Sequence, residues 1–209
     1  MTRVIESTSR WCFVVITGIS AVFFVVPYLW ADGPATAPAE AGTPQGFLAA
    51  MTNDRLAAMS DSDSLGIVDF DATSDKEKAD AQLLAESMVV QAKLEVAARK
   101  KWGTGTETGV AHACGDNVPD DDAGAKWTVN GDQARADFAN ANSTPLLLMK
   151  SGGEWKVDMH GYQELVGQKF EQSLRDGTAA MQRLIDGMDS FSGSGDDFVK
   201  RVNEEMSKI

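Results

Sequence analysis

The sequence predicts an α+β fold: a long helix packed on a twisted antiparallel β-meander, with additional C-terminal helices. Three observations carry this. Residues 125–159 hold four short strand-type runs joined by short turns. Residues 75–102 hold one unbroken helical pattern, and residues 162–206 hold further apolar residues at helical spacing.

The meander is the most constrained part. Trp127 and Val129 alternate with Lys126, Thr128 and Asn130, the period of a strand with one buried face. Asn130-Gly131-Asp132 comes next, and Asn-Gly marks a hairpin because both residues tolerate positive φ. Ala134, Ala136 and Phe138 then alternate with Gln133, Arg135 and Asp137. Leu146 to Met149 is a continuous apolar run, as near a sheet centre. Ser151-Gly152-Gly153 makes the second tight turn, and Trp155 and Val157 alternate beyond it. Short turns require antiparallel neighbours, since parallel pairing needs crossovers of about a dozen residues or more.

The helices begin at Thr43-Pro44, a cap followed by proline at the first helical position. Phe47, Leu48, Met51, Leu56 and Met59 give this segment an apolar side, with a break near Asn53-Asp54. Residues 60–64, SDSDS, read as a loop, and residues 65–68 are undecided. Ser74 and Glu77 make a capping-box pattern before the long helix at about 75–102. Its stripe is Ala79, Leu83, Val90, Leu94 and Ala97, widened by Leu84 and Met88. Lys100 and Lys101 suit its C-terminal dipole, and Gly103 can end it. Residues 103–124 are polar and loop-like, with room for an edge strand at 107–113. Residues 162–191 read as one helix, or as two joined near Gly177, with a stripe from Val166 and Phe170 to Met188. A flexible break over 191–195 precedes a last helix at about 196–206.

The first 42 residues have a different character. Arg3 and Arg10 precede an uncharged run, Trp11 to Trp30, long enough to span a bilayer. The two arginines place the N-terminus in the cytoplasm and export the chain beyond the apolar run. Residues 1–31 are therefore a signal peptide, ending near Leu29-Trp30-Ala31 or Ala35-Thr36-Ala37, or an uncleaved membrane anchor. Residues 32–42, rich in Pro and Ala, are a linker. Residues 43–159 form the helix-plus-meander domain and 160–209 a C-terminal helical extension. The expected location is extracytoplasmic, periplasmic or secreted, with anchoring in the inner membrane as the alternative to cleavage. Cys114 is the only cysteine beyond residue 31, so the exported part has no intrachain disulfide.

The strand and turn residues Val129-Asn130-Gly131-Asp132-Gln133-Ala134 and Gly152-Gly153-Glu154-Trp155-Lys156-Val157-Asp158 carry a family resemblance. With the capped helices before them, they resemble the nuclear transport factor 2-like (cystatin-like) superfamily, in particular its exported bacterial members. The resemblance covers about residues 43–159, and the C-terminal helices depart from it. It implies a helix and sheet that form a cone, which in some members holds a small ligand.

Chemistry is sparse. A net charge of −12 repels polyanions, and no Lys/Arg cluster outweighs it, so no nucleic-acid partner is expected. His112-Ala113-Cys114 with Asp116 is the most metal-like cluster, but it lacks the paired spacing of a zinc site. Asp120-Asp121-Asp122 lacks the alternating ligands of a calcium loop. No G-x-S-x-G or P-loop is present, and Gly103, Gly105 and Gly109 have the wrong spacing for a dinucleotide loop. Asn142-Ser143-Thr144 fits a glycosylation acceptor, which matters only in a eukaryotic secretory setting. No catalytic, cofactor-binding or metal residue is assigned, and no cofactor. Asp137 points away from the Ala136 and Phe138 face, and His160 sits where it would line a cone mouth. Trp127, Phe138 and Trp155 belong to the core. The expected function is a non-catalytic domain binding a small ligand or an envelope protein. The alternative is a small-molecule lyase or isomerase using the cone of the same fold, as the resemblance to ketosteroid-isomerase-like members implies.

Overall fold

The computed structural model describes residues 42–115, 125–138 and 144–209. The apolar run at 11–30, most of the linker, Asp116, Asp120 to Asp122, Asn142 and Ser143 lie outside them. Among the described residues no helix is long and apolar enough to cross a membrane. The protein is α+β, a five-stranded mixed sheet packed against helices.

Three short helices open the described chain: α1 (Pro44–Ala50), α2 (Asn53–Ala57) and α3 (Asp61–Gly66). Each has a side-chain cap, which satisfies one of the N–H groups a helix start leaves over. Thr43 accepts from Gly46 N–H at 3.0 Å, Thr52 from Arg55 and Ser60 from Asp63. The 60–64 loop expected from the sequence is thus helical. Ser60 caps it, and Asp61 and Asp63 sit in the first turn, where the helix dipole favours negative charge. The undecided 65–68 stretch ends in strand β1 (Val68–Asp69).

Helix α4 (Asp75–Trp102) is capped by Ser74, which accepts from Glu77 N–H at 3.3 Å. Glu77 does not complete the box, because its carboxylate accepts from Asp71 N–H at 2.9 Å. Residues 87–92 of α4 are buried on every side. Of the stripe read from the sequence, Ala79 is exposed and Leu83 only half-buried. Helix α5 (Thr104–Ala113) replaces the expected loop and edge strand. Thr104, Thr106, Thr108 and Val110 alternate like a strand, but the buried positions 106, 107, 110, 111 and 114 follow helical spacing.

Strands β2 (Lys126–Asn130), β3 (Gln133–Asp137), β4 (Leu146–Ser151) and β5 (Glu154–Asp158) are successive antiparallel neighbours, in sheet order β1-β5-β4-β3-β2. Among the described residues only β1 pairs parallel, beside β5, which the long connection between them permits. Gly131 has φ 61° and begins the two-residue loop between Asn130 and Gln133, as a type II′ turn requires. Gly152 and Gly153 both have positive φ, as in type I′.

Beyond β5, α6 (Met159–Val166), a 3-10 turn (Gly167–Lys169), α7 (Phe170–Met188) and α8 (Gly195–Met206) complete the chain. Of the two readings of residues 162–191, one helix or two joined near Gly177, the divided one holds, but the division falls at Gly167, where φ is 70°. Gly177 is buried inside α7.

The apolar residues form two clusters joined by α4. The first joins Ala81, Leu84, Ala85, Met88 and Ala92 of α4 to Ala134, Ala136, Leu148, Trp155 and Val157 of the sheet and to Tyr162 of α6. The second joins Val90, Leu94 and Ala98 of α4 to Val110 of α5, Met181 and Leu184 of α7, and Phe198 and Val202 of α8. Trp102, Phe191 and Phe198 close its end, the Trp102 and Phe198 rings stacking at 4.8 Å. Lys101 Nζ donates to the carbonyls of Met188 and Phe191 at and just beyond the C-terminus of α7.

Candidate functional site

The sheet presents two unlike faces, and the difference arises from the pleat. Register places Val68, Val157, Leu148, Ala134 and Val129 on one face, and Thr128, Arg135 and Leu147 with Asn130, Gln133 and Met149 on the other. On the first face, Val68, Val157, Leu148 and Ala134 are buried in the first cluster, whereas Val129 at the β2 edge is 51% exposed. The second face is largely open.

Helix α6 closes one end of this open face. Tyr162 Oη donates to the Pro145 carbonyl at 3.0 Å and accepts from Leu147 N–H at 3.2 Å. Asp158 caps α6 by accepting from Gly161 N–H at 2.9 Å. Gly161 is required at that seat: a Cβ there would lie 2.8 Å from Asp158 Oδ2 and 2.9 Å from Leu147 Cδ1. Gln163 of α6 reaches Asp80 of α4 at 2.9 Å, and His160 lies 3.3 Å from Glu77.

The result is a groove of about 570 Å³ between the open sheet face and α6. Thr128, Asn130 and Gln133 supply polar floor groups, and Leu147, Met149 and Leu165 an apolar strip. Leu165 is 50% exposed, one of two large apolar side chains so exposed among the described residues. Arg135 also lines the groove, but its guanidinium is engaged by Asp137 at 2.7 Å. That contact holds the Asp137 carboxyl below its ordinary value. The volume suits a small ligand or a few side chains of a partner.

His160 lines this groove. Trp155 is buried in the first cluster, with its indole N–H donated to the Gly42 carbonyl at 3.0 Å. Phe138 is buried there too, and Trp127 is partly so. His112 lies on α5 and Cys114 is buried at its C-cap. Among the described residues, no group of three or more His, Cys, Asp or Glu side chains could hold a metal ion.

A second polar locus lies where α2, α4 and α5 meet. Asn53 and Gln91 donate to the two carboxylate oxygens of Glu95, Gln91 at 2.9 Å. One turn on, Arg99 holds Asp54 at 2.6 Å and lies 3.3 Å from Glu107 Oε1. Glu95 and Glu107 are both 1% exposed. Burial pushes the Glu107 carboxyl up to about 7, against the pull of Arg99. Composition and motif give Glu107 no distinction. Its signal is positional, an acidic residue on the inner face of the helical spacing 106, 107, 110, 111, 114.

No protein-family model, curated protein or solved structure matches this chain.

Proposed function

We propose that this protein is an exported or membrane-anchored, non-catalytic domain that binds a small ligand or an envelope protein in the groove between the open sheet face and α6. The observation that carries the reading is how the two sheet faces are filled. On the α4 side, Leu84, Ala85, Met88, Leu148, Val157 and Tyr162 belong to one buried cluster, which supports a core rather than a ligand cavity between α4 and the sheet. On the other side, an open groove combines apolar and hydrogen-bonding groups. A long helix on a twisted antiparallel meander, as in nuclear transport factor 2-like proteins, is the architecture that goes with this reading. The uncharged run after Arg3 and Arg10 supports export.

A lyase or isomerase needs an ionisable group beside bound substrate. Glu107 has a raised pKa suited to proton transfer, but it does not line the groove. The groove's acidic groups are Glu164, which is exposed, and Asp158, which caps α6. The geometry therefore favours binding over catalysis.

A photo-crosslinking amino acid placed at Met149 in cells tests this. Adducts at position 149, absent when the same group replaces exposed Gln82 on α4, are expected, and their mass separates a small ligand from a protein. Equal yields at the two positions would remove the groove as the binding site.

A further inference from the structure

We propose that the α4–α5 joint is a proton-operated latch: α5 stays seated on α4 while Glu107 is protonated and is released more readily once that carboxylate ionises. This stands apart from the groove and from the binding reading.

The charge count carries the proposal. Arg99 faces Asp54 at 2.6 Å and Glu107 at 3.3 Å, and Glu95 lies one turn before it on the same helix. One guanidinium cannot neutralise three carboxylates. Asp54 is mostly in water, and Asn53 and Gln91 donate to Glu95. Glu107 has a buried Oε1 that makes no hydrogen bond, and its one cationic neighbour, Arg99 at 3.3 Å, is shared with Asp54. It is therefore the group on which a proton is most favourably kept.

The other charged groups near α5 do not change this balance. Helix α8 brings Asp196, Asp197 and Lys200 to α5's other side, all exposed, with Lys200 3.7 Å from Asp197. On α4, Lys100 is exposed and Lys101 is engaged by the Met188 and Phe191 carbonyls. His112 is on α5 itself, beyond the turn that carries Glu107.

The element that gives way is α5. It has ten residues, no side-chain cap, and a sequence rich in Thr and Gly, TGTETGVAHA. Such a helix is unstable alone and depends on packing. It covers Val110 and Cys114 of the second cluster, and Gly109 lies under Val199 of α8.

The direction comes from linkage. Glu107's ordinary value is 4.5, and its value in the seated state is about 7. Below 4.5 the carboxyl is protonated in both states and the seat is at its firmest. Between these values the released state ionises first, so opening becomes easier as pH rises. The gain is at most about tenfold per pH unit for one proton, and it levels off above about 7.

Alkylation of Cys114 in the full chain reads this opening, with Cys12 separated by peptide mass. Each rate is divided by that of the unfolded chain at the same pH, which removes the thiol's own titration. Protection of Cys114 should fall about tenfold or more between about pH 5 and 7, and should be flat in Glu107→Gln. Parallel profiles in the two proteins would overturn the latch. Asp54→Asn, an exposed change that spares the fold, frees Arg99 for Glu107 and should move the fall to lower pH. An unmoved profile in that variant would equally overturn it.

Discussion

The two ends of α4 are held by different means. Its first half lies with a sheet whose side chains are placed by register, and the buried Asp80 there is joined to the exposed Lys76 and to Gln163. Its second half lies among helices, and at the joint with α2 and α5 two carboxylates are buried. A sheet face offers no choice of which residues turn inward once the pairing is set. Helix packing leaves that choice to the spacing of apolar residues on each helix. Both regions bury carboxyl groups, but Asp80 and Asp158 in the first are tied to surface or cap partners, whereas Glu107 in the second has only a guanidinium shared with Asp54.

Aromatic truncation is the strongest test of whether the two clusters are separate. Trp155 stands for the first, and Phe198, in contact with Trp102 and Phe191, for the second. Each change to alanine should cost about 3–5 kcal/mol, the usual loss for a buried aromatic. Because α4 runs through both, each variant should still melt in one transition. Two resolved transitions in either variant would make the clusters independent units. A Tm within about 2 °C of the parent for Trp155→Ala would reject its core role and suit a ligand-lining one.

Next in size is the seat of α6, which decides whether the open face has a groove. Gly161→Ala forces a methyl group against Asp158 and Leu147 and should cost about 1–3 kcal/mol. Tyr162→Phe removes the hydroxyl that joins Pro145 and Leu147 and should cost about the same. Calorimetric melts of each variant check this. If both are neutral, α6 is not anchored by these contacts and the groove loses its wall.

The contrast between the regions also explains what the sequence disclosed. Asn130-Gly131 and Gly152-Gly153 mark turns by backbone freedom alone, and alternation around them marks the strands. Thr43-Pro44, Ser74 and the apolar run of α4 are local signals of the same kind. Helix α5 was hidden because Thr and Gly are poor helix formers, and only contact with α4 and α8 makes the segment helical. The stripe on α4 is blurred because elements of both clusters cover it from different sides, so residues 87–92 are buried in succession. The break in the C-terminal helices was misplaced because both glycines look alike locally. Gly167 takes a positive φ, whereas Gly177 is buried within α7. The groove was illegible for a simpler reason. It depends on where α6 sits, and that is set by Tyr162 and Gly161 meeting β4 and by Asp158 at the end of β5.

The smallest effect compares the caps that start the helices of the two regions. Ser194 begins α8 with a complete box: its hydroxyl accepts from Asp197 N–H, and the Asp197 carboxylate accepts from Ser194 N–H at 3.1 Å. Ser74 begins α4 with half of one, since Glu77 is turned to Asp71. Ser194→Ala should therefore cost about 1 kcal/mol, and Ser74→Ala somewhat less. The two should also differ in pH dependence. The side-chain and backbone hydrogen bonds of Ser194 hold the Asp197 carboxyl below its ordinary value of 3.8. A depressed carboxyl contributes stability above 3.8, and that contribution is lost as pH falls through the lower, folded value. The Ser194→Ala cost should thus be full at neutral pH and shrink in acid below 3.8. Urea melts of both variants at about pH 7 and about pH 3 decide the matter. If the Ser194→Ala cost is the same at both, the hydroxyl acts only on the backbone of α8 and the carboxylate is a bystander.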